Sequence, residues 1–238
     1  VRCCTQNGVR GGSATVHFPI WHQEIEDIIV LKNNKGSEDN RVRKLDYSIQ
    51  ISKLFYERFI KDEEITLFSP HEVPGLYEAF GLPEFDEMYE KYERKTSISK
   101  TKIRAQLLFM DILKERAETG RIYIMNIDHC NTHSSFKDKV YMSNLCQEIT
   151  LPTTPLDHID DEKGEIALCI LSAINLGLIR DKDELEGLCD LSVRALDEII
   201  DYQEYPIEAA RISAESRRSL GIGYIGLAHY LAKNHVKY

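Results

Sequence analysis

Short β-rich runs, each ended by a proline or a glycine, alternate along this chain with longer runs whose apolar residues recur at helical spacing. Residues 13–18 read as a strand stopped by Pro19, residues 65–68 as a strand stopped by Ser69-Pro70, and residues 121–125 as a third. Residues 142–151 before Pro152 and 166–176 before Gly177 complete the set. Helical spacing covers residues 21–31 (Trp21, Ile25, Ile28, Ile29), 45–60, 75–80, 84–93, 99–118 closed by Gly120, 183–202 and 206–218. Gly221-Ile222-Gly223 breaks the last of these before a final helix reaching Ala232. Turns are read at Gly8–Gly12 and Lys32–Gly36, and a polar loop over residues 128–139. Strands that alternate with helices argue an α/β class with largely parallel strands, because parallel neighbours need a crossover connection.

Composition narrows the function classes. No apolar run approaches the roughly 20 residues of a membrane helix, and no apolar stretch after Val1-Arg2-Cys3-Cys4 suggests a secretory leader. The net charge of −9 disfavours a nucleic-acid partner, whose phosphates this surface repels on average. Arg41/Arg43/Lys44 and Arg217/Arg218 are the local basic clusters, fit either for one nucleotide or simply for solvated helix charge. The six cysteines, Cys3, Cys4, Cys130, Cys146, Cys169 and Cys189, are too sparse for a secreted disulfide scaffold and suit a reducing, cytoplasmic setting.

Ser143-Asn144-Leu145-Cys146-Gln147-Glu148-Ile149 is the stretch with chemical content. Read as a strand, it turns Asn144, Cys146 and Glu148 to one side, each roughly 6–7 Å from the next. That face offers an amide, a thiol and a carboxylate in a row. A half-buried strand with an inert cysteine fits the same spacing. By composition Cys169, in an apolar run, and Cys189, in a helix, read as core residues. Asp128-His129-Cys130-Asn131-Thr132-His133 lacks the spaced ligands that zinc requires, so no metal site is expected. Gly221-x-Gly223 is too short for a dinucleotide fingerprint.

Residues 143–149 resemble the large, catalytic subunit of class I ribonucleotide reductases of bacterial or phage type. The likeness extends in order through Gly8-Val9-Arg10-Gly11-Gly12-Ser13-Ala14-Thr15, Leu31-Lys32-Asn33-Asn34-Lys35-Gly36, Phe68-Ser69-Pro70-His71-Glu72-Val73-Pro74-Gly75 and Thr119-Gly120-Arg121-Ile122-Tyr123. It continues at Asp128–His133, Gly164-Glu165-Ile166-Ala167-Leu168-Cys169 and Leu220-Gly221-Ile222-Gly223. The resemblance implies a ten-stranded α/β barrel with a central finger loop and Cys146 near its tip. It implies that Cys146, as a thiyl radical, abstracts the 3′ hydrogen of a ribonucleoside diphosphate. Glu148 would be the base for the 3′ hydroxyl, Asn144 would bind the ribose, and Cys169 would be one of two cysteines that become a disulfide.

Further expectations come from the same resemblance. The second redox cysteine is expected outside this chain, since Cys3 and Cys4 stand in the wrong place relative to Gly8–Gly12. The radical would come from a metal-containing small subunit, with no cofactor bound directly. ATP and deoxynucleoside triphosphate effectors are expected on regions not matched here. Thioredoxin or glutaredoxin would act through a C-terminal tail, and the large subunits would pair as a homodimer. Residues 1–238 are thus expected to be one segment of the catalytic barrel domain, an internal fragment or part of a split subunit, inactive without the rest. Two other classes stay open: a hydrolase or transferase using Cys146 as an ionic nucleophile beside His129 or His133, and a non-catalytic scaffold.

Overall fold

A computed structural model describes residues 4–238, so Cys3 lies outside the described residues. The chain divides after Pro152 into two compact units. The first begins with a hairpin, β1 (Thr5–Gln6) paired antiparallel with β2 (Arg10–Gly11). Gln6 pairs with Arg10, so three residues, Asn7, Gly8 and Val9, make the turn, and Asn7 and Gly8 take positive φ, 51° and 72°. There follow β3 (Thr15–Pro19), α1 (Ile25–Ile29), β4 (Asp46–Ile51), α2 (Lys53–Ile60), β5 (Glu64–Phe68), α3 (Leu76–Ala79) and α4 (Phe85–Arg94). The unit continues with β6 (Lys100–Arg104), α5 (Ala105–Thr119), β7 (Ile122–Asn126) and α6 (Ile127–Thr132).

The scaffold of this unit is a parallel sheet of order β3-β4-β7. Residues 45–60 are therefore not one helix, as their spacing suggests, but a strand and then a helix. Tyr47, Ile49 and Ile51 alternate with Ser48 and Gln50, and a central strand satisfies all its backbone groups from two neighbours. The apolar side of β4 packs with Phe18, Ile122, Phe55, Leu108 and Ile112 into one core. The other side carries the rows His17–Ser48–Tyr123 and Pro19–Gln50–Met125. Ser48 and Gln50 are fully buried there. A second core gathers Trp21, Phe68, Phe80, Phe85, Tyr89, Met125 and Val140.

Tertiary pairing overrides local spacing elsewhere in the unit. The expected helix 21–31 shrinks to α1, because the Phe68 N–H donates to the Trp21 carbonyl at 2.8 Å and the Gln23 N–H to the Phe68 carbonyl at 2.8 Å. The expected helix 99–118 begins as β6, which pairs antiparallel with β5 before α5 starts; Gly120 ends α5 at φ 68°. Residues 128–132, expected as loop, belong to α6.

In the second unit β8 (Leu171–Asn175) pairs in parallel with β9 (Gly221–Ile225), joined through α7 (Lys182–Tyr202) and α8 (Glu208–Arg217), and α9 (Leu227–Lys233) follows. The apolar run 166–176 is extended into a ladder only from Leu171, and Gly221–Gly223 is strand rather than helix break. A Cβ on Gly221 would stand 2.4 Å from Leu171 Cδ2, so a side chain there would displace the exposed end of Leu171 on the neighbouring strand. The small core comprises Ile170, Leu196, Ile200 and Ala214. No described helix is long and apolar enough to cross a membrane.

Candidate functional site: the Cys146 turn

Residues 143–149 form a turn, not the strand that their alternation suggests. Two residues close it. The Gln147 N–H donates to the Asn144 carbonyl at 3.2 Å and the Asn144 N–H to the Ile149 carbonyl at 3.3 Å. Asn144 Oδ1 accepts the Ile149 N–H at 3.1 Å, and Ser143 Oγ donates to the Ile149 carbonyl at 2.5 Å. Such side-chain bonds to nearby backbone compete with a ladder and win here. Asn144, Cys146 and Glu148 thus share one short turn, but not one strand face at even spacing. Cys146 and Glu148 are exposed and Asn144 is half-buried.

The turn is fastened to the polar side of the β3-β4-β7 sheet. Thr15 Oγ1 donates to the Leu145 carbonyl at 2.6 Å. Ser48 Oγ donates to Gln147 Oε1, and Gln147 Nε2 donates to the Ile124 carbonyl at 2.8 Å. Gln50 Nε2 donates to the Tyr141 carbonyl. Upstream, Lys139 Nζ donates to the carbonyls of Tyr77 at 2.9 Å and Glu78 at 2.7 Å, with the Tyr141 ring centroid at 4.3 Å. Burial pushes the Lys139 ammonium down to about 8 while Glu78 and Glu84 act the other way; the two carbonyls and the ring also favour the charged form. These anchors escaped the sequence reading. Their signal was the Ser48/Gln50 alternation inside an apolar strand.

A family model described as the ribonucleotide reductase barrel domain matches residues 1–238. The chain belongs to that family. It is 60 % identical over 243 residues to the ribonucleoside-diphosphate reductase subunit alpha of Buchnera aphidicola subsp. Schizaphis graminum, covering 100 % of this chain and 32 % of that protein. The subunit of the same name from Haemophilus influenzae is 59 % identical with the same coverage, and that of Enterobacteria phage T4 is 44 % identical over 246 residues. The chain spans about a third of the length of these relatives.

Within this reductase barrel domain, Cys169 lies in the second unit, two residues before β8, and is exposed rather than core. Cys189 is exposed too. The helix around it, α7, carries more apolar positions than the small core covers: Leu196 and Ile200 are buried, Leu191 and Ile199 are not. Among the described residues no hydrogen bond joins Cys146 to a histidine, and His129 and His133 meet each other edge-on with ring centroids 5.3 Å apart. An ionic nucleophile would need such a partner. Among the described residues no three or more of His, Cys, Asp and Glu are grouped to hold a metal ion. Within the basic clusters, Arg43 pairs with Glu38, Arg217 with Glu165 at 2.5 Å, and Arg218 with Asp197 at 2.7 Å and Asp201 at 2.8 Å.

One titratable group sits directly behind the turn of this reductase domain. Both ring nitrogens of His17 are buried outside hydrogen-bonding geometry, and the backbone of Asn144 and Ser143 faces the ring. Burial holds the imidazole below its ordinary 6.5, which those backbone groups offset only in part. The unfolded chain therefore takes up the proton first. Stability is full above pH 6.5 and declines as pH falls from there toward the folded-state value. His17→Phe is expected to lose less of its urea midpoint than the parent between pH 7 and 5.5. Equal losses in the two proteins would refute this.

Proposed function

We propose that this chain supplies the radical-bearing turn of a ribonucleoside-diphosphate reductase, in which Cys146 abstracts the 3′ hydrogen of the substrate ribose. The observation that carries the reading is the geometry of the Cys146 turn. A thiol flanked by an amide and a carboxylate stands exposed on a loop whose backbone and neighbours are bonded to the polar side of a parallel sheet. The substrate class follows the names of the relatives, which are ribonucleoside-diphosphate reductases. In the fuller reading the sheet belongs to a ten-stranded barrel and the turn is the tip of its finger loop.

The chemistry follows from the groups present. An S–H bond is weak enough to exchange a hydrogen atom reversibly with carbon. The Cys146 thiyl takes the 3′ hydrogen and becomes a thiol, leaving a carbon radical on the sugar. Glu148 takes the 3′ hydroxyl proton as general base, and Asn144 holds the ribose. The 2′ hydroxyl leaves as water. Cys169 and a second cysteine outside this chain give two electrons and two protons and become a disulfide; one proton leaves with the 2′ oxygen as water, and the other hydrogen ends on the 2′ carbon. The 3′ hydrogen then returns from Cys146, which is again a thiyl. The radical is delivered by a small metal-bearing subunit, and thioredoxin or glutaredoxin reduces the disulfide through a tail elsewhere in a homodimeric large subunit. The setting is cytoplasmic, and ATP and deoxynucleotides act as effectors.

Hydrogen abstraction makes a specific prediction. In the full polypeptide that carries this chain, assembled with the radical-generating subunit, a 3′-deuterated substrate is expected to turn over more slowly than its protium form. Deuterium wash-out from that carbon without product, or a normal isotope effect on single turnover, supports the reading. Identical single-turnover rates with full retention of label and no exchange overturn it.

A further inference from the structure

The side chain that fastens the turn is not one of those proposed to meet substrate. Gln147 directly follows Cys146 and stands at φ 61°, a region that side-chain-bearing residues seldom adopt. Its amide makes a bond at each end: Oε1 accepts from Ser48 Oγ on β4, and Nε2 donates to the Ile124 carbonyl on β7. The amide therefore spans two adjacent strands. Consecutive residues stand in opposite surroundings, with Gln147 half-buried toward the sheet and Cys146 exposed. The turn itself is closed without this amide, by Ser143 and by the side chain and backbone of Asn144. What the Gln147 amide adds is attachment and direction.

We propose that Gln147 is the positioning residue of the Cys146 turn: its amide, held by Ser48 and Ile124, sets the direction in which the Cys146 sulfur is presented. The inference rests on the reading of Cys146 as the hydrogen-abstracting group. Atom transfer needs the reacting atoms in near-contact, and a displacement of about 1 Å costs on the order of a hundredfold in rate. Leucine has nearly the volume of glutamine but makes neither bond, and glycine relieves the backbone at φ 61° while also making neither.

The test uses the full polypeptide with its radical-generating subunit. For Gln147→Leu, kcat is expected to fall by roughly 10- to 100-fold with KM changed by less than about threefold. The 3′-deuterium effect on turnover should rise, because a badly aimed sulfur makes abstraction limiting. A variant that was only partly folded would lose rate with the isotope effect unmoved. Gln147→Gly should not restore the rate. Ser48→Ala removes one of the two bonds and should shift rate and isotope effect the same way by less; it also serves if Gln147→Leu fails to fold. Adding Ser48→Ala to Gln147→Leu should cost nothing more. A parent-like rate, an unmoved isotope effect, rescue by glycine or simple additivity each overturns the proposal. Cys146→Ser separates the two readings. If that variant turns over, the reading of Cys146 fails; if it is inactive while Gln147→Leu behaves like the parent, only the role of Gln147 fails.

Discussion

Cys146→Ser is expected to remove turnover by roughly a thousandfold or more while leaving the protein folded. The structural half of that expectation comes from what Cys146 does not do. It is exposed, and the bonds that shape and fasten the turn belong to Ser143, Asn144, Gln147, Thr15 and Ser48. Serine keeps the size and makes no new demand, so the urea midpoint should move by no more than about 0.5 kcal/mol of stability, the usual range for a surface change. The chemical half comes from bond strength. An O–H bond is much stronger than an S–H bond, so a serine in this place cannot carry the radical that a cysteine carries. Assembly with the partner subunit measured beside turnover completes the test. Lost turnover with assembly intact supports the radical role, and unchanged turnover would favour a scaffold that needs no thiol.

The α/β class was readable from the order of runs and stops, and the strands near residues 15, 65 and 122 lie where the sequence puts them. What failed was the choice of period in segments whose structure depends on remote partners. Residues 46–51 satisfy a period of two as well as they satisfy a helix, and it is pairing with β3 and β7 that decides. Lys100–Arg104 has almost no apolar pattern and is a strand because β5 offers it a ladder. At the site, residues 143–149 stood out in the sequence as the candidate stretch, but their shape was not legible. A Ser-Asn start is a turn former, yet the closing bonds run from side chain to backbone and leave no periodicity. The anchors Ser48, Gln50 and Gln147 come together across about a hundred residues, a juxtaposition that no local window holds. Cysteine composition misled in the other direction. A small, moderately apolar residue packs inside or outside with little cost, and both Cys169 and Cys189 stand outside.

Removing one member of the Arg58–Glu93 pair should produce the largest loss of stability, with a reversed response to acid. Arg58 reaches Glu93 through two nitrogens, each at 2.6 Å, and its ring contact with Tyr89 is 5.2 Å from the centroid. Thr66 Oγ1 donates to the same carboxylate at 2.7 Å. The two side chains are only 12 % and 17 % exposed, so solvent screens them little. Burial alone would raise the Glu93 carboxyl, but the Arg58 and Thr66 hydrogen bonds outweigh it and hold the group below its ordinary 4.5. In the parent this contribution is present above pH 4.5 and is lost as pH falls through the depressed folded-state value. Arg58→Met strands a carboxylate in the same pocket, at a cost of about 3–5 kcal/mol at pH 7. With its main partner gone, burial dominates and the Glu93 value moves above 4.5. The variant should then gain stability as pH is lowered from 7 toward 5.5, while the parent gains nothing from this group. Arg58→Met combined with Glu93→Leu removes the stranded charge and should recover most of the loss, as paired replacement of buried ions commonly does. Urea unfolding of the three proteins at pH 7 and 5.5 decides the matter: a single-variant loss under about 1 kcal/mol, or no relative gain on acidification, would mean that solvent reaches the pair and the carboxylate does not depend on Arg58.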